Sequence, residues 1–250
     1  MPDIPRVALV IPVYCERPSL PELLQELFSQ PYSFHLEVVV VDDNSPDGTA
    51  DAVRSLQADH QGLRLLERER PEGRGAAVVE AFRGLLDRGD GSSPTIIAEM
   101  DGDGSHDPVY LAPMVEAMSA ADVVLGSRYV EGGGAELSGR RRFLSTLANS
   151  FSRLILGLPY RDCSSGYRCY SPEVLSSLGL ETIGTGGHAT HLEMLLRLHR
   201  SGAKITEVPM VYRVRKGGES KVTLGEVLRV AWVLLKVRLS GAAGSGDHPG

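Results

Sequence analysis

The sequence predicts an α/β protein built on a doubly wound, mostly parallel sheet. Short runs rich in β-branched residues alternate four times with segments whose leucines recur at helical spacing. These runs are apolar throughout, as in parallel strands that are covered on both faces. At 250 residues, with 42% hydrophobic and 23% charged residues, the chain is large enough for one full core. We therefore expect helices on both faces of one sheet.

The first half of the chain contains the regular alternation. "RVALVIPVY" (6–14) is predicted as the first strand and "LPELLQELF" (20–28) as the first helix. "LEVVVVDD" begins at Leu36 as a second buried strand, and a Pro/Gly turn separates it from a helix that starts near Thr49. The other elements of this half are strands at 63–69, 95–100 and 121–129 and a helix at 75–86.

The pattern changes after residue 130. A glycine run leads to three arginines at 140–142 and then to an amphipathic helix, and 162–170 is predicted as a hydroxyl-rich loop that contains Arg168. Ser171 and Pro172 have the character of a helix start. The remaining predictions are a helix that ends at Gly202, a strand at 204–215, a loop at 216–221, an amphipathic helix at 222–239 and a disordered tail at 240–250.

Two pairs of aspartates mark a candidate site. Asp42 and Asp43 end the second strand, and Asp101 and Asp103 follow the strand "TIIAEM" among glycines. Ligands of doubly wound sheets bind beyond the carboxyl ends of the strands, so we expect both pairs to share one crevice. Asp101 and Asp103 are hard oxygen ligands that suit Mg²⁺ or Mn²⁺, although an isolated pair of this kind also occurs in hydrated turns.

Composition and charge exclude several classes of protein. A net charge of −6 argues against nucleic acid as a partner, because binding to phosphate backbones normally leaves a basic footprint. Cys15, Cys163 and Cys169 lack zinc-like spacing, which favours reduced thiols in a cytoplasmic protein. The N-terminus lacks the pattern of a signal peptide, and no apolar run approaches the roughly 20 residues that span a bilayer.

Six motifs, in order, carry a resemblance to a known family. They are "VIPVYCERPSLPELL", "VVVVDDNSPDGT", "MDGDGSHDP", "GSRYVEGGG", "DCSSGYRCY" and "VYRVRKGGESK". Over about residues 5–238 the chain resembles family 2 glycosyltransferases, and specifically the polyprenol-phosphate (dolichol-phosphate) mannose synthases. The resemblance implies a GT-A fold, a nucleoside-diphosphate sugar donor and inversion at the anomeric carbon. It also implies one domain over 1–239, with a nucleotide-sugar-binding half at 5–129 and an acceptor-binding half at 130–221.

The resemblance assigns donor-binding and metal-binding residues. Asp101 and Asp103 match the ligands of the metal that bridges the donor diphosphate, with Ser105 as a further candidate. Ser105 stands where these synthases often carry a glutamine, and Cys15 stands where they carry an asparagine. The residues that match donor contacts are Pro12, Tyr14, Glu16, Asp42, Asp43, Asp101, Asp103, Arg213 and Lys221.

The resemblance also assigns the acceptor side. Arg128, Arg141 and Ser145 match positions that bind the acceptor phosphate, for which guanidinium groups are well suited. Arg128, Asp103 and Glu193 are the catalytic candidates. Glu193 is either a general base or a positioning group, because an ionised phosphate needs no base whereas an alcohol acceptor does. His188, His191 and His199 receive no role, since "GGHATH" departs from the family pattern at 186–191.

Several alternatives remain open at the level of sequence. The helix at 222–239 is interpreted either as a peripheral membrane contact, with Trp232 at the headgroup level, or as a helix packed on the core or in a homodimer. The preferred function is mannosyl transfer from GDP-mannose to a polyprenyl monophosphate at the cytoplasmic membrane surface. The alternatives are a soluble alcohol or natural-product acceptor, a sugar-1-phosphate nucleotidyltransferase and a non-catalytic nucleotide-sugar sensor.

Overall fold

The computed structural model describes residues 4–89, 91, 93–136, 139–184 and 189–214, without the side chain of Arg141. The predicted helix at 222–239, the tail, Lys221 and His188 lie outside these residues. The strands are β1 (Arg6–Val13), β2 (His35–Asp42), β3 (Leu63–Glu67), β4 (Ile96–Glu99), β5 (Val123–Ser127), β6 (Gly134–Ala135), β7 (Arg168–Tyr170), β8 (Ile205–Pro209) and β9 (Val211–Tyr212). The helices are α1 (Leu20–Ser29), α2 (Thr49–Gln57), α3 (Arg74–Leu86), α4 (Leu111–Ala117), α5 (Gly139–Leu156), α6 (Pro172–Ser176) and α7 (Ala189–Arg200), with short 3-10 helices at Pro108–Tyr110 and Leu180–Thr182.

The main sheet has seven strands in the order β3-β2-β1-β4-β7-β5-β8. All neighbouring pairs are parallel except those that involve β7, which runs antiparallel to both β4 and β5. The prediction of an α/β fold with a mostly parallel sheet is therefore confirmed. Strands β6 and β9 form a separate parallel pair beside it.

Helices cover both faces of the sheet, as strands that are buried on two sides require. Alternate side chains of a strand point to opposite faces. In β1, Ala8 and Val10 belong to the apolar cluster that includes α3 and α7, whereas Leu9 and Ile11 belong to the cluster that includes α1 and α4. No helix among the described residues has the length and apolar character needed to cross a bilayer.

Two sequence predictions in the second half are wrong in part. Residues 168–170 were predicted as loop but form β7, in the middle of the sheet. The fully buried guanidinium of Arg168 donates to the carbonyl oxygens of Ser165, Cys163 and His191 at 2.8–2.9 Å, which anchors the irregular segment before the strand. The single strand predicted at 204–215 is divided, because β8 pairs with β5 and β9 with β6.

The helix start predicted at Ser171 and Pro172 is confirmed. Pro172 occupies the first position of α6, and the side chain of Ser171 accepts a hydrogen bond from the backbone N–H of Val174 at 3.3 Å. This cap satisfies one of the amide groups that have no partner within the helix. It also fixes the point where the chain leaves β7.

Candidate active site

Four parallel strands end at one edge of the sheet, and the predicted site residues follow their ends. β1, β2, β4 and β5 run in the same direction and end at Val13, Asp42, Glu99 and Ser127. Neighbouring strands lie about 4.8 Å apart, so β2 and β4 on either side of β1 are separated by roughly 10 Å. The two aspartate pairs therefore flank the end of β1, as the sequence predicted.

Asp42 and Asp43 have different surroundings. Both side chains are buried. The carboxylate of Asp43 accepts hydrogen bonds from Arg68 Nη1 at 2.6 Å and from the backbone N–H of Gly73 at 2.7 Å, which organises the loop before α3. Asp42 accepts from the backbone N–H of Ser45 through Oδ2 at 2.9 Å, whereas its buried Oδ1 has no hydrogen-bond partner in the described part of the chain. Within this pair, Asp42 is thus the carboxylate with one buried oxygen left without a partner among the described residues.

The chain turns sharply after β1. Pro12 is buried, and the side chain of Tyr14 is about half exposed. Cys15 has a left-handed backbone with φ 59°, a conformation that asparagine adopts more easily than cysteine, and its N–H donates to Ser45 Oγ at 3.0 Å. Glu16 accepts a hydrogen bond from the Ser19 hydroxyl at 2.8 Å. The departure from the family motif at Cys15 therefore falls at a strained position of the site.

Glycine is required between the two aspartates that follow β4. A Cβ atom on Gly102 would lie 2.5 Å from Val13 Cγ1, so only glycine lets this turn pack on the end of β1. Asp103 is nearly buried and accepts hydrogen bonds at Oδ1 from the backbone N–H of Ser105 at 3.0 Å and from its hydroxyl at 2.5 Å. The Ser105 hydroxyl, predicted as a further metal ligand, is hence directed at Asp103.

The pair Asp101 and Asp103 fits a divalent cation that also binds substrate phosphates. Carboxylate oxygens suit Mg²⁺ and Mn²⁺, and Mg²⁺ is commonly held by one or two carboxylates together with phosphate oxygens. In the described ranges, no cluster of three or more histidine, cysteine, aspartate or glutamate side chains is arranged to hold a metal. Asp101 and Asp103 are therefore the carboxylates at this edge that could hold such a cation together with a substrate phosphate.

A buried polar network that the sequence did not reveal lies behind Asp101. Arg74, at the start of α3, donates from Nε to Asp101 Oδ1 at 2.8 Å and places Nη1 2.5 Å from His191 Nε2 and 3.0 Å from His191 Nδ1. His191 Nε2 lies 3.0 Å from Glu99 Oε2, and Tyr170 donates to the other oxygen of Glu99 at 2.8 Å. A glutamate within the apolar run "TIIAEM" was the sequence signal for this network.

Burial decides the charge states in the network. Burial and then the neighbouring Arg74 lower the pKa of His191 to about 4, so its imidazole is neutral at neutral pH. Burial alone would raise the pKa of Glu99, but His191, Arg74 and Arg168 together lower it to about 2. The network thus fixes α3, β4, β7 and α7 around Asp101.

Arg128 is held in one orientation at the end of β5. Its Nε and Nη2 donate to the two oxygens of the fully buried Asp162 at 2.7 and 2.8 Å, and Nη2 also donates to Ser164 Oγ at 2.7 Å. Burial opposes the charge, but the hydrogen bonds to Asp162 raise the pKa of Arg128 above its usual value. A small cleft beside it is lined by Arg128, Tyr129, Ala135, Arg142 and Ser145. Arg128 and Ser145 are thus brought together, and Arg142 joins them.

Aromatic side chains connect the carboxylates with Arg128. His106 accepts a hydrogen bond from the backbone N–H of Asp101 at 3.0 Å, and its ring lies edge-on to that of Tyr212, 5.7 Å between centroids. The guanidinium carbon of Arg128 lies 5.6 Å from the Tyr212 ring centroid. The next residue, Arg213, pairs with Asp107 and Glu26, and its backbone N–H donates to the Ser105 carbonyl oxygen at 2.9 Å. The aspartates and the arginines therefore belong to one continuous site.

The carboxylate of Glu193 is held by contacts with neighbouring residues of the protein. Its buried carboxylate pairs with Arg197 Nη2 at 2.5 Å and accepts the backbone N–H of Gly184 at 3.1 Å. Arg197 also donates to Thr182 and Leu178, which fastens the 3-10 helix Leu180–Thr182 to α7. The contacts of Glu193 are those of a residue that positions this segment. His199 on the same helix lies 3.0 Å from the hydroxyl of Tyr160.

Comparison with known proteins gives consistent sequence matches. The family model described as "Glycosyl transferase family 2" matches residues 8–179. The chain is 38% identical over 224 residues to an undecaprenyl-phosphate mannosyltransferase of Micrococcus luteus, covering 89% of each chain. It is 36% identical over 246 residues to a polyprenol monophosphomannose synthase of Mycolicibacterium smegmatis, covering 97% of this chain and 89% of the relative.

Solved structures share the fold at lower identity. Glucosyl-3-phosphoglycerate synthase from Mycobacterium tuberculosis, in complex with Mn²⁺, UDP and phosphoglyceric acid, superposes with a TM-score of 0.66 at 20% identity, over 97% of this chain and 80% of that one. A mannosyltransferase from Pyrobaculum calidifontis, in complex with GDP-Man and Mn²⁺, gives a TM-score of 0.60 at 21% identity, over 99% of this chain and 78% of that one. These likenesses confirm the fold that the six motifs implied.

Proposed function

This chain belongs to glycosyl transferase family 2 and is a glycosyltransferase, and we propose that it transfers mannose, with inversion, from GDP-mannose to a polyprenyl monophosphate. The relatives named above are a mannosyltransferase and a mannose synthase that act on polyprenyl phosphates. The Pyrobaculum structure contains GDP-Man. The proposed setting is the cytoplasmic membrane surface, where a polyprenyl phosphate presents its headgroup.

The observation that carries the acceptor assignment is the clamped guanidinium of Arg128 at the same sheet edge as the aspartates. Asp162 engages Nε and Nη2, and among the described residues Nη1 is the guanidinium nitrogen that lacks a hydrogen-bond partner. A fixed cation of this kind binds a phosphate oxygen with little loss of conformational entropy. Ser145, which lines the same cleft, adds a hydroxyl donor, and Arg141 stays a proposed contact.

A phosphate acceptor also agrees with the surroundings of Glu193. An alcohol must lose a proton as it attacks, which calls for a base within hydrogen-bond reach. Glu193 is the candidate general base identified from the sequence, and its two carboxylate oxygens accept hydrogen bonds from Arg197 and from the Gly184 N–H. A phosphate monoester is already ionised near neutral pH and attacks without such a base. This contrast favours the lipid phosphate over a soluble alcohol.

On the donor side, Asp42 and the aspartates after β4 have complementary tasks. The partnerless Oδ1 of Asp42 can accept an N–H of the base or a ribose hydroxyl, since a buried acceptor without a partner is otherwise costly. Asp101 and Asp103 would hold Mg²⁺ or Mn²⁺, which neutralises charge on the diphosphate leaving group. Pro12, Tyr14, Glu16, Asp43, Arg213 and Lys221 complete the proposed donor contacts.

In the proposed reaction an oxygen of the acceptor phosphate attacks the anomeric carbon of mannose. The bond between that carbon and the diphosphate oxygen breaks, and GDP leaves with the electron pair. Arg128 orients the attacking phosphate, and the Arg74 network keeps Asp101 in place at the other side of the site. Attack from the face opposite the leaving group inverts the configuration.

The acceptor assignment is tested with Arg128→Lys, which keeps the charge but loses the two-pronged contact with Asp162. We expect the KM for a short-chain polyprenyl phosphate to rise by roughly 10- to 100-fold, while the KM for GDP-mannose stays within about twofold. Steady-state kinetics with each substrate varied in turn gives both values. Equal changes in the two KM values, or transfer to the corresponding polyprenol but not to its phosphate, would refute the assignment.

A further inference from the structure

The guanidinium of Arg74 lies directly against Asp101, one of the two aspartates that follow β4. Its Nε and Nη2 are 2.8 and 2.7 Å from the same oxygen, Asp101 Oδ1. The side chains of Arg74 and Asp101 are 20% and 24% exposed, so water screens this contact only in part. A positive charge of the protein itself is thus placed on a carboxylate that is suited to bind a divalent cation.

Three other parts of the fold enclose the guanidinium of Arg74. Nη1 contacts the ring of His191 on α7, and Nη2 lies 4.0 Å from Glu99 Oε2 at the end of β4. A Cβ atom on Gly166 would lie 2.7 Å from Nη2, so the loop before β7 packs directly on the guanidinium. These contacts keep Arg74 beside Asp101 in the folded protein.

The positive charge of Arg74 offsets the negative charge of Asp101. Burial opposes the charge of the guanidinium, but Asp101 and then Glu99 raise the pKa of Arg74 above its usual value. His191 adds no charge at neutral pH, because its pKa is about 4. The polar network contains equal numbers of positive and negative side chains: Arg74 and Arg168, and Glu99 and Asp101. Asp101 therefore attracts a cation less than a carboxylate without such a neighbour would.

We propose that Arg74 weakens the binding of a divalent cation by Asp101 and Asp103, so that the cation enters and leaves the site together with a substrate phosphate. A cation bound by Asp101 shares that carboxylate with the guanidinium, and like charges repel strongly where water is partly excluded. A diphosphate supplies the negative charge that Arg74 has offset. The part played by the diphosphate rests on the proposed function, whereas the effect of Arg74 on cation affinity does not.

Arg74 also orients Asp101, and orientation alone would strengthen cation binding. Holding one aspartate side chain in place changes an affinity by only a few-fold, because the side chain has little rotamer freedom to lose. Repulsion between a guanidinium and a divalent cation at the same carboxylate is worth more than about tenfold, even at an effective dielectric constant of about 20. The charge of Arg74 therefore decides the sign of its effect on cation affinity.

Titration of the full chain with Mn²⁺, without nucleotide or lipid, tests the effect of Arg74. The electron paramagnetic resonance signal of unbound Mn²⁺ gives the Kd. Arg74→Met removes the charge and should bind Mn²⁺ at least about tenfold more tightly than the wild type, whereas Arg74→Lys keeps the charge and should stay within about threefold. Arg88→Met is the matched control: it removes a guanidinium that pairs with Glu37 at 2.6 and 2.9 Å near the amino end of β2, and it should bind like the wild type.

Gly166→Ala is an independent variant that keeps every charge. The added Cβ meets the flexible end of Arg74 and should displace it from Asp101, so Mn²⁺ should bind about threefold more tightly. Adding Asp103→Ala to Arg74→Met should abolish the gain in affinity, because the bound ion then loses one of its carboxylates.

Three results would overturn the proposal. The first is a folded Arg74→Met variant, with an unchanged unfolding midpoint, that binds Mn²⁺ no more tightly than the wild type. The second is a change of affinity in Arg74→Lys as large as that in Arg74→Met, which would assign to the guanidinium fork what the proposal assigns to charge. The third is a gain in affinity that survives Asp103→Ala. If Arg74→Met does not fold, Gly166→Ala decides, and a Kd equal to or above that of the wild type overturns the proposal.

Calorimetric titration with GDP separates this proposal from the proposed function. The wild type should bind GDP at least about tenfold more tightly with Mn²⁺ than without it, because cation and diphosphate strengthen each other's binding by the same factor. If Arg74→Met gains affinity for Mn²⁺ but GDP binds to neither protein, the effect of Arg74 stands and the guanosine donor of the proposed function fails. If GDP binding by the wild type depends on Mn²⁺ but Arg74→Met gains no affinity for the ion, the donor assignment stands and this proposal fails.

Discussion

Replacing Asp162 by asparagine should destabilise the protein strongly, because Arg128 would lose the partner of a buried charge. Asp162 is fully buried and accepts six hydrogen bonds at 2.7–3.3 Å. Two come from side-chain nitrogens of Arg128, one from the Ser164 hydroxyl, and three from the backbone N–H groups of Arg128, Ser164 and Ser165. Removing one partner of a buried ion pair costs about 3–5 kcal/mol. Asparagine keeps one acceptor oxygen, so we expect a loss of about 3 kcal/mol in the free energy of unfolding.

Urea unfolding at pH 7 measures this loss, and thermal unfolding should show a Tm lower by about 6–12 °C for a chain of this length. Asp122→Asn is the matched control, because Asp122 accepts one backbone N–H, from Lys204 at 2.8 Å, and should cost about 1 kcal/mol or less. A loss for Asp162→Asn no larger than that of the control would refute the reasoning.

The pH dependence gives an independent check on the same pair. Burial alone would raise the pKa of Asp162, but its hydrogen bonds with Arg128 lower it. A lowered carboxyl pKa stabilises the fold above the unfolded value of about 3.9, and this contribution is lost as the pH falls through the folded value. The difference between wild type and Asp162→Asn should therefore be complete at pH 7 and shrink below about pH 4.

Three further substitutions test other parts of the structure. His191→Gln should flatten the pH dependence of the free energy of unfolding between about pH 6.5 and 4. Over this range the wild type loses up to roughly 3 kcal/mol, because its unfolded state takes up a proton that the buried imidazole does not bind. Equal slopes of the free energy of unfolding against pH in the two proteins, measured by urea unfolding, would contradict this. Glu193→Gln should keep kcat with a polyprenyl phosphate within about tenfold, whereas a hundredfold loss in a folded variant would indicate a general base. Gly102→Ala should cost about 1–3 kcal/mol in urea unfolding, since the added Cβ meets Val13 Cγ1 at 2.5 Å, and no loss would mean that the turn can shift.

The sequence predicted those features that depend on local patterns. The buried strands β1, β2 and β4 follow from β-branched runs, and parallel pairing then places Asp42 and Asp101 at one edge. The cap at Ser171 likewise depends on neighbouring residues alone. The order of the six motifs indicated the family, and the family model that matches residues 8–179 confirmed it.

The features that sequence reasoning missed depend on contacts between distant segments. β7 has only three residues, and it lies between β4 and β5 because the buried Arg168 binds carbonyl oxygens of two segments. The Arg74 and His191 contact joins residues that are 117 positions apart. The amphipathic pattern of α5 was recognised, but helical spacing does not reveal which face packs on the protein.

A turnover assay with purified protein tests the central claim most directly. Radiolabelled GDP-mannose and a panel of other nucleotide sugars are supplied with Mg²⁺ or Mn²⁺, with and without a short-chain polyprenyl phosphate. The account predicts label in the lipid-phosphate product from GDP-mannose and a loss of at least about a hundredfold in Asp103→Ala. Donor binding without transfer to the lipid phosphate, or undiminished transfer by Asp103→Ala, would contradict it.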